Sequence, residues 1–410
     1  MIAVVCALLL AQIQGEVTPL RLPIELDPGG IPRHGSPVTL RLHIPEELPW
    51  DARKRLGPRV RARLLTSTDA PLASVLQTEW SKATLLVHFV QAKLTRKERL
   101  ILELAPEHGE AAPEDTRASF SFSQGDGYRE LLLGKRRVLR HVKPAYDPAR
   151  HEATCKTFHH VYGLHGEGAL TKGAGGLYSH HRGLFAGWRQ TRRGDETWDF
   201  WHCREGVAVR HLRDLPELET AGAVLARMAS SMAWTSPGGS PVVRERRVIE
   251  AWNIDAGKLL LAVTITLASA RGQVLLEGDA HHAGFQFRAA QAVAERRTQT
   301  RYVRPEGAQK QPNDVWSHCP WAACLFELHG RRYAVLHMDH PENPRPMTYS
   351  TRDYGRFGSF FEAELDPGSP LTLRYRILVI DRTMHPDCSP ERFALAYRDF
   401  VRPVGRRIEK

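Results

Sequence analysis

Apolar and polar residues alternate with period two over 38–44 (VTLRLHI), 60–65 (VRARLL) and 83–90 (ATLLVHFV), and a further run follows at 100–104 (LILEL). Neighbouring side chains of a strand face opposite sides, so this alternation predicts strands with one buried face. Turn clusters rich in Pro and Gly separate the runs. Four or more short strands at this spacing predict a small immunoglobulin-like β-sandwich over 16–124. Residues 107–117 (EHGEAAPEDTR) are charged and poor in hydrophobics. They predict a linker.

Longer strands are predicted at 207–212, 221–234, 242–252, 258–270, 322–328, 333–338 and 371–380. Residues 247–252, joined through 253–257 to 258–260, read as a hairpin. Helical periodicity is nearly absent until 390–400. There Ser389 stands at the expected N-cap and Pro390 at the first helical position, with Phe393, Leu395, Ala396 and Phe400 on the apolar side. A second domain over 125–410, built from long antiparallel strands, must close as a barrel or a large two-sheet sandwich. The expectation is an all-β chain with one short C-terminal helix.

Residues 1–15 (MIAVVCALLLAQIQG) hold an apolar core of about ten residues, too short to span a bilayer with comfort. They predict a signal peptide cleaved after Gly15 and a periplasmic or extracellular mature chain. No later segment has the length and apolarity of a membrane span; the most apolar, 259–267 (LLLAVTITL), is strand-length. The formal charge of +11 would suit nucleic acid, but the basic residues are scattered among carboxylates, as in Arg244-Glu245-Arg246-Arg247. No nucleic-acid partner is expected. Removal of Cys6 with the signal would leave five cysteines. Cys319 and Cys324 are spaced for a local disulfide, although isolated buried thiols fit equally well.

Fifteen of the twenty histidines lie at or after His151, so proton-transfer or ligand chemistry is expected in the second domain. Three knots concentrate it. The first is Tyr178-Ser179-His180-His181-Arg182-Gly183-Leu184-Phe185-Ala186-Gly187-Trp188, whose flanking glycines predict a loop. The second is Asp279-Ala280-His281-His282-Ala283-Gly284. The third is Asp339-His340-Pro341-Glu342-Asn343-Pro344-Arg345, close to Arg352-Asp353-Tyr354. His180, His181, His281 and His282 are the candidate general acids or bases. Arg182 and Arg352 are candidates to bind substrate oxygens, and Trp188, Trp201 and Tyr354 to stack on a ring. His202, His340 and Asn343 complete the candidate binding set. Each of these residues has a structural reading beside the functional one: a core histidine, a turn-making asparagine or a loop-anchoring arginine. The chain contains no Gly-x-Gly-x-x-Gly, P-loop, Gly-x-Ser-x-Gly or His-Glu-x-x-His sequence. A dinucleotide or ATP enzyme is not expected, and spacing alone assigns neither cofactor nor metal ligands.

The knots at 178–185, 278–288, 340–345 and 352–358, in that order, resemble the bacterial family labelled "methane oxygenase PmoA", or PmoA-like. The resemblance spans roughly 125–400. It implies a secreted protein of carbohydrate-degrading bacteria, with an architecture similar to the galactose-mutarotase-like supersandwich. In mutarotases a histidine protonates the ring oxygen and a glutamate takes the anomeric proton; neither motif is matched residue by residue in this chain. Three functions remain open. The first is a secreted carbohydrate-acting enzyme (lyase, hydrolase or epimerase) using histidine acid–base chemistry on a carbohydrate ligand. The second is a metal-dependent, oxygenase-like enzyme ligated by the His pairs, and the third a non-catalytic glycan-binding protein.

Overall fold

The computed structural model describes residues 18–72, 74–107 and 118–408. The expected signal peptide and nearly all of the expected linker lie outside these residues. The chain is mostly β, with 54% strand against 10% helix, as the alternation predicts. It divides into two compact units, Met1–Thr116 with Val404–Lys410, and Arg117–Pro403.

The first unit is a sandwich of two antiparallel sheets. One runs Val60–Thr66, Glu98–Pro106, Leu20–Asp27, Gly405–Ile408; the other runs Arg33–His43, Thr84–Leu94, Gln77–Ser81. Alternate residues, including Leu26, Leu40, Leu42, Val87, Phe89, Leu102 and Leu104, fill the core between them. Two features differ from the domain boundaries expected from sequence. The division falls before Phe120–Gly125, because that strand pairs with Tyr128–Leu133 in the second unit. The chain's last strand returns to the first unit, where Ile24 pairs with Ile408 and Asp27 with Gly405.

The second unit is a supersandwich of two large antiparallel sheets, with a smaller four-stranded sheet beside them. Nine strands form one sheet, among them the long strands Leu225–Thr235, Pro241–Asp255, Lys258–Ser269, Arg331–Asp339 and Leu371–Asp381. The expected hairpin is present, with Val243 paired to Ser269 and Asp255 to Lys258. Ten strands form the other sheet. At its centre lie Arg136–Val142, Phe158–Val161, Leu184–Trp188, Ala283–Arg288, Arg356–Phe360 and Thr348–Arg352, in that spatial order. One apolar core joins the two sheets, with Leu184, Ala186, Trp188, Phe285, Phe287 and Phe357 from one and Met232, Trp234, Leu261, Val263 and Ile377 from the other. The helix Pro390–Val401 forms where predicted, capped by Ser389, whose hydroxyl accepts from the Arg392 N–H. It seats Phe393 on the outer face of the nine-stranded sheet against Trp321, Leu336 and Met338. Burying that ring contributes about 1.5–3 kcal/mol. Cys319 and Cys324 are free and buried rather than paired, and burial pushes both thiols up to about 12.

Several histidines are buried in this second unit. Burial holds His337 down to about 3. Burial, then the neighbouring cations and imidazoles, pushes His141 and His159 well below the ordinary range. In the unfolded chain each takes up a proton as pH falls through about 6.5, while the folded ring refuses it. Stability is therefore full above about pH 6.5 and is lost as pH falls toward about 3, by up to about 1.4 kcal/mol per pH unit for each such ring. The urea midpoint should be lower at pH 5 than at pH 7, and His337→Gln should narrow the difference. Equal midpoints at the two pH values would contradict this account.

Candidate functional site

Alternation in the ten-stranded sheet fixes which residues can act. Leu184, Ala186, Trp188, Phe285, Phe287 and Phe357 face the shared core. The register pairs Phe185 with Gln286, Arg288 with Arg356, and Arg352 with Arg356. Phe185, Gln286, Arg288, Ser350, Arg352 and Arg356 therefore point to the opposite, outer face. There Phe158, Phe185 and Trp201 form a small apolar floor. Gly183 and Gly284 let the flanking segments close onto it. Gly183 has φ +51°, and a Cβ there would stand 2.1 Å from the His159 carbonyl oxygen; Gly284 has φ +91° and would meet the Ser359 carbonyl oxygen at 1.9 Å.

Two sequence-predicted knots meet on this face, joined by His202. The imidazoles form a continuous row. Ring centroids are 4.2 Å apart for His181–His180, 4.4 Å for His180–His202, 5.4 Å for His202–His282 and 6.2 Å for His282–His281. Arg352 closes one end, donating from Nη2 to His281 Nδ1 at 2.5 Å and from Nη1 to the Asn313 carbonyl at 2.7 Å. Tyr354 closes the other. Its ring stacks on His181 at 6.1 Å and meets Tyr178 at 5.0 Å, and Tyr178 is 47% exposed, an aromatic face open to solvent beside the row.

Two Asp-x-x-His turns orient the middle of the row. In Asp199-Phe200-Trp201-His202 the carboxylate accepts from the Trp201 and His202 N–H groups at 3.0 and 2.8 Å and from His202 Nδ1 at 2.7 Å. In Asp279-Ala280-His281-His282 it accepts from the His281 N–H at 2.8 Å and from His282 Nδ1 at 3.0 Å. Burial raises both aspartates, but these hydrogen bonds outweigh it and hold both below the usual carboxylate value. A carboxylate on Nδ1 places the proton there and leaves Nε2 as a lone-pair base. His281 is the reverse: its Nδ1 accepts from Arg352, so Nε2 carries the proton and is a donor. Burial, then Lys156, pushes His180 down to about 2; burial, then Arg352, pushes His281 down to about 4. His181 is 3% exposed and held well below the ordinary range by burial, then by Arg356. The row thus combines two carboxylate-backed bases, a neutral N–H donor and two neutral spacers.

Other expected site residues lie elsewhere. Trp188 is fully buried in the sandwich core against Trp234 and Phe361, because even-numbered positions of its strand face inward. Arg182 is 1% exposed and spends its guanidinium on the carbonyls of Ser179, Glu152 and Ala153, anchoring the loop. His340 packs against Phe400 of the C-terminal helix. Asn343 bonds Asp339 and the Arg374 backbone. The third knot is therefore a loop fastening rather than part of the row. Trp201 is fully buried under the guanidinium of Arg356, 5.7 Å from its ring centre, so it is floor and not a stacking platform. Sequence reasoning missed the backing role of Asp199 and Asp279, legible as a repeated Asp-x-x-His spacing. It also missed Tyr178, Arg288, Arg356 and Lys156, whose ammonium reaches the Trp201 and His180 carbonyls.

Metal-ligand spacing falls on the inner face. Among the described residues, His141, His211 and Asp214 bring one ligand atom each within 4.8 Å of one another. The His pairs of the row form no such group. Asp214 is already satisfied by Lys143 and His211. A cleft of ≈ 440 Å³ in the first unit, lined by Arg21, Arg41, Glu46 and Arg406 among others, contains none of the row. Among the described residues no helix is long and apolar enough to cross a membrane.

Fold and site together define a two-sheet β-supersandwich protein with an aspartate-backed histidine row on the outer face of one sheet. Residues 129–393 match the model of a family of unknown function, DUF6807, and the chain belongs to that family. No curated protein is similar to it in sequence. Among solved structures it is similar to the crystal structure of an alpha-mannosidase from Enterococcus faecalis V583, at 12% identity and a TM-score of 0.39. The alignment covers 96% of this chain and 46% of that one, so the chain spans under half the length of that enzyme.

The charge states of the row are directly observable. Imidazole NMR should show His180 neutral down to pH 4 and His281 titrating near pH 4. A midpoint near 6.5 for His180 would contradict the buried, cation-flanked environment described.

Proposed function

We propose that the chain is a carbohydrate-acting enzyme that uses histidine acid–base catalysis on the outer face of the ten-stranded sheet. The observation that carries this reading is the meeting of two Asp-x-x-His turns, with the His202 and His282 rings 5.4 Å apart. A histidine whose Nδ1 is held by a carboxylate accepts a proton at Nε2 and is stabilised as the imidazolium that results. Of two such groups side by side, one can take a proton from the substrate or from an attacking water while the other, in its protonated form, delivers one to a leaving or ring oxygen or to the opposite face of a carbanion, the pairing shared by lyases, hydrolases and epimerases. His281, an N–H donor held by Arg352, would polarise the substrate oxygen between them. Tyr178 offers a ring face for a sugar. The sugar substrate is also what the resemblance to the PmoA-like family implies, together with a periplasmic or extracellular location.

Screening oligosaccharides for turnover tests this reading. His202→Ala and His282→Ala should each lower kcat by about 10²–10⁴-fold with little change in KM. Asp199→Asn should lower kcat in the same direction, since the amide cannot stabilise the imidazolium. Glycan binding without turnover in the parent chain would replace catalysis by recognition. Full activity in both histidine variants would remove the row from the mechanism.

A further inference from the structure

Beneath the histidine row lie two cations with no counter-charge among the described residues. Arg288 and Arg356 are direct cross-strand partners in the ten-stranded sheet, 0% and 1% exposed. Like charges facing each other across a strand pair repel, and a charge taken out of water needs an opposite charge or full hydrogen bonding. Among the described residues neither guanidinium has a carboxylate partner. Arg288 donates from Nη1 to the carbonyls of Ala289 and Tyr354, and Arg356 from Nη1 to the Gln286 side-chain oxygen. Among the described residues, Nε and Nη2 of Arg288 and Nε of Arg356 make no hydrogen bond; nor do either ring nitrogen of the adjacent His181 or the indole N–H of Trp201. Elsewhere in the same unit the fold handles such a group differently: Arg247, also 1% exposed, is paired with Glu245. Burial pushes the Arg288 guanidinium down to about 10, the pressure expected on a cation left without its anion.

We propose that Arg288 and Arg356 form a subsite for a carboxylate of the substrate, so that the carbohydrate acted on is a uronic acid or a uronate-containing chain. An oxoanion between the two guanidiniums would take the unused N–H donors, turn a repulsive cross-strand pair into an attractive triad, and receive further donors from Trp201 and from whichever His181 nitrogen carries the proton. The subsite adjoins the catalytic row. Arg356 lies over Trp201, Arg288 lies 5.0 Å from the Tyr354 ring centre, and Arg352, next to Arg356 in the register, holds His281. A carboxylate fixed here would bring the sugar ring to which it is attached under His202 and His282. The sugar part of this proposal rests on the function proposed above; the anion subsite rests on the arginine pair alone.

Calorimetric titration of the whole chain at pH 7 and low salt tests it, using galacturonate and glucuronate beside galactose and glucose, with acetate and inorganic phosphate as plain anions. The uronates should bind at least about tenfold tighter than their neutral counterparts, acetate should compete, and Arg288→Met and Arg356→Met should each abolish the preference. Without ligand both variants should melt no lower than the parent, because each removes one of two facing charges; a purely structural pair would melt lower. Equal binding of uronates and neutral sugars overturns the acidic-substrate inference and leaves the carbohydrate reading standing. Binding of acetate or phosphate with no sugar bound supports the anion subsite and overturns the carbohydrate reading. No binding of any anion, with both variants melting lower, overturns the subsite.

Discussion

The two-residue alternation of the ten-stranded sheet is the constraint on which the chemistry of this chain depends. Its central strands send Leu184, Ala186, Trp188, Phe285, Phe287 and Phe357 into the core and leave Phe185, Gln286, Arg288, Ser350, Arg352 and Arg356 on the other face. The same rule parts two adjacent histidines. His159 turns inward and stacks on His141 at 4.3 Å, while His160 turns outward toward Phe158. A shift of one residue in any central pairing would put arginines into the apolar core and phenylalanines under the histidine row. The core therefore specifies the site's register, although no core residue belongs to the site.

The row itself comes from loops, which escape alternation. Both Asp-x-x-His segments fold as a single turn in which one carboxylate holds backbone N–H and the ring nitrogen of the histidine three residues on. The aspartate thereby fixes the turn and the tautomer together, a local device that works on any scaffold wherever such a turn can be seated. The sheet supplies the seating. Gly183 and Gly284 admit the neighbouring carbonyls at distances no side chain would allow, and the Phe158–Phe185–Trp201 floor gives the rings something to lie on.

Much of the fold was legible because its strands are long and their alternation is strong. Pro241–Asp255 and Lys258–Ser269 carry enough period-two signal to place a hairpin to within a few residues, and Ser389-Pro390 marks the helix start through elementary capping chemistry. Gly405–Ile408 was not legible: four residues with one apolar side chain have no period of their own, and become a strand only because the edge of Leu20–Asp27 accepts them. The site was half legible. His-His pairs and Arg352 signalled themselves by residue type. Trp188 and Arg182 sit in the same knot but are spent on core and loop, since a tryptophan at an inward strand position and an arginine surrounded by carbonyls cannot also meet a ligand. His340 and Asn343 answer to the C-terminal helix and the Arg374 backbone, partners tens of residues away in sequence. The facing of Arg288 and Arg356 depends on pairing two strands about seventy residues apart, which no local pattern encodes.

The cationic floor and the neutral row explain each other. Burial is the larger reason why His181 and His281 hold no proton, and the positive field of Arg356 and its neighbours is the next. While that field stands, His181 and His281 stay neutral, whereas His202 and His282 are each backed by a carboxylate. An anion bound between Arg288 and Arg356 would cancel much of the field at a few ångströms, where the surroundings screen charge weakly. Protonation of the nearest rings would then become easier only when an acidic ligand is in place. Binding and proton transfer would be coupled through charge alone, without any change in backbone conformation. The arrangement would also explain why the fold tolerates two facing arginines it could have paired or replaced: their repulsion in the free protein is the same interaction that ligand binding relieves.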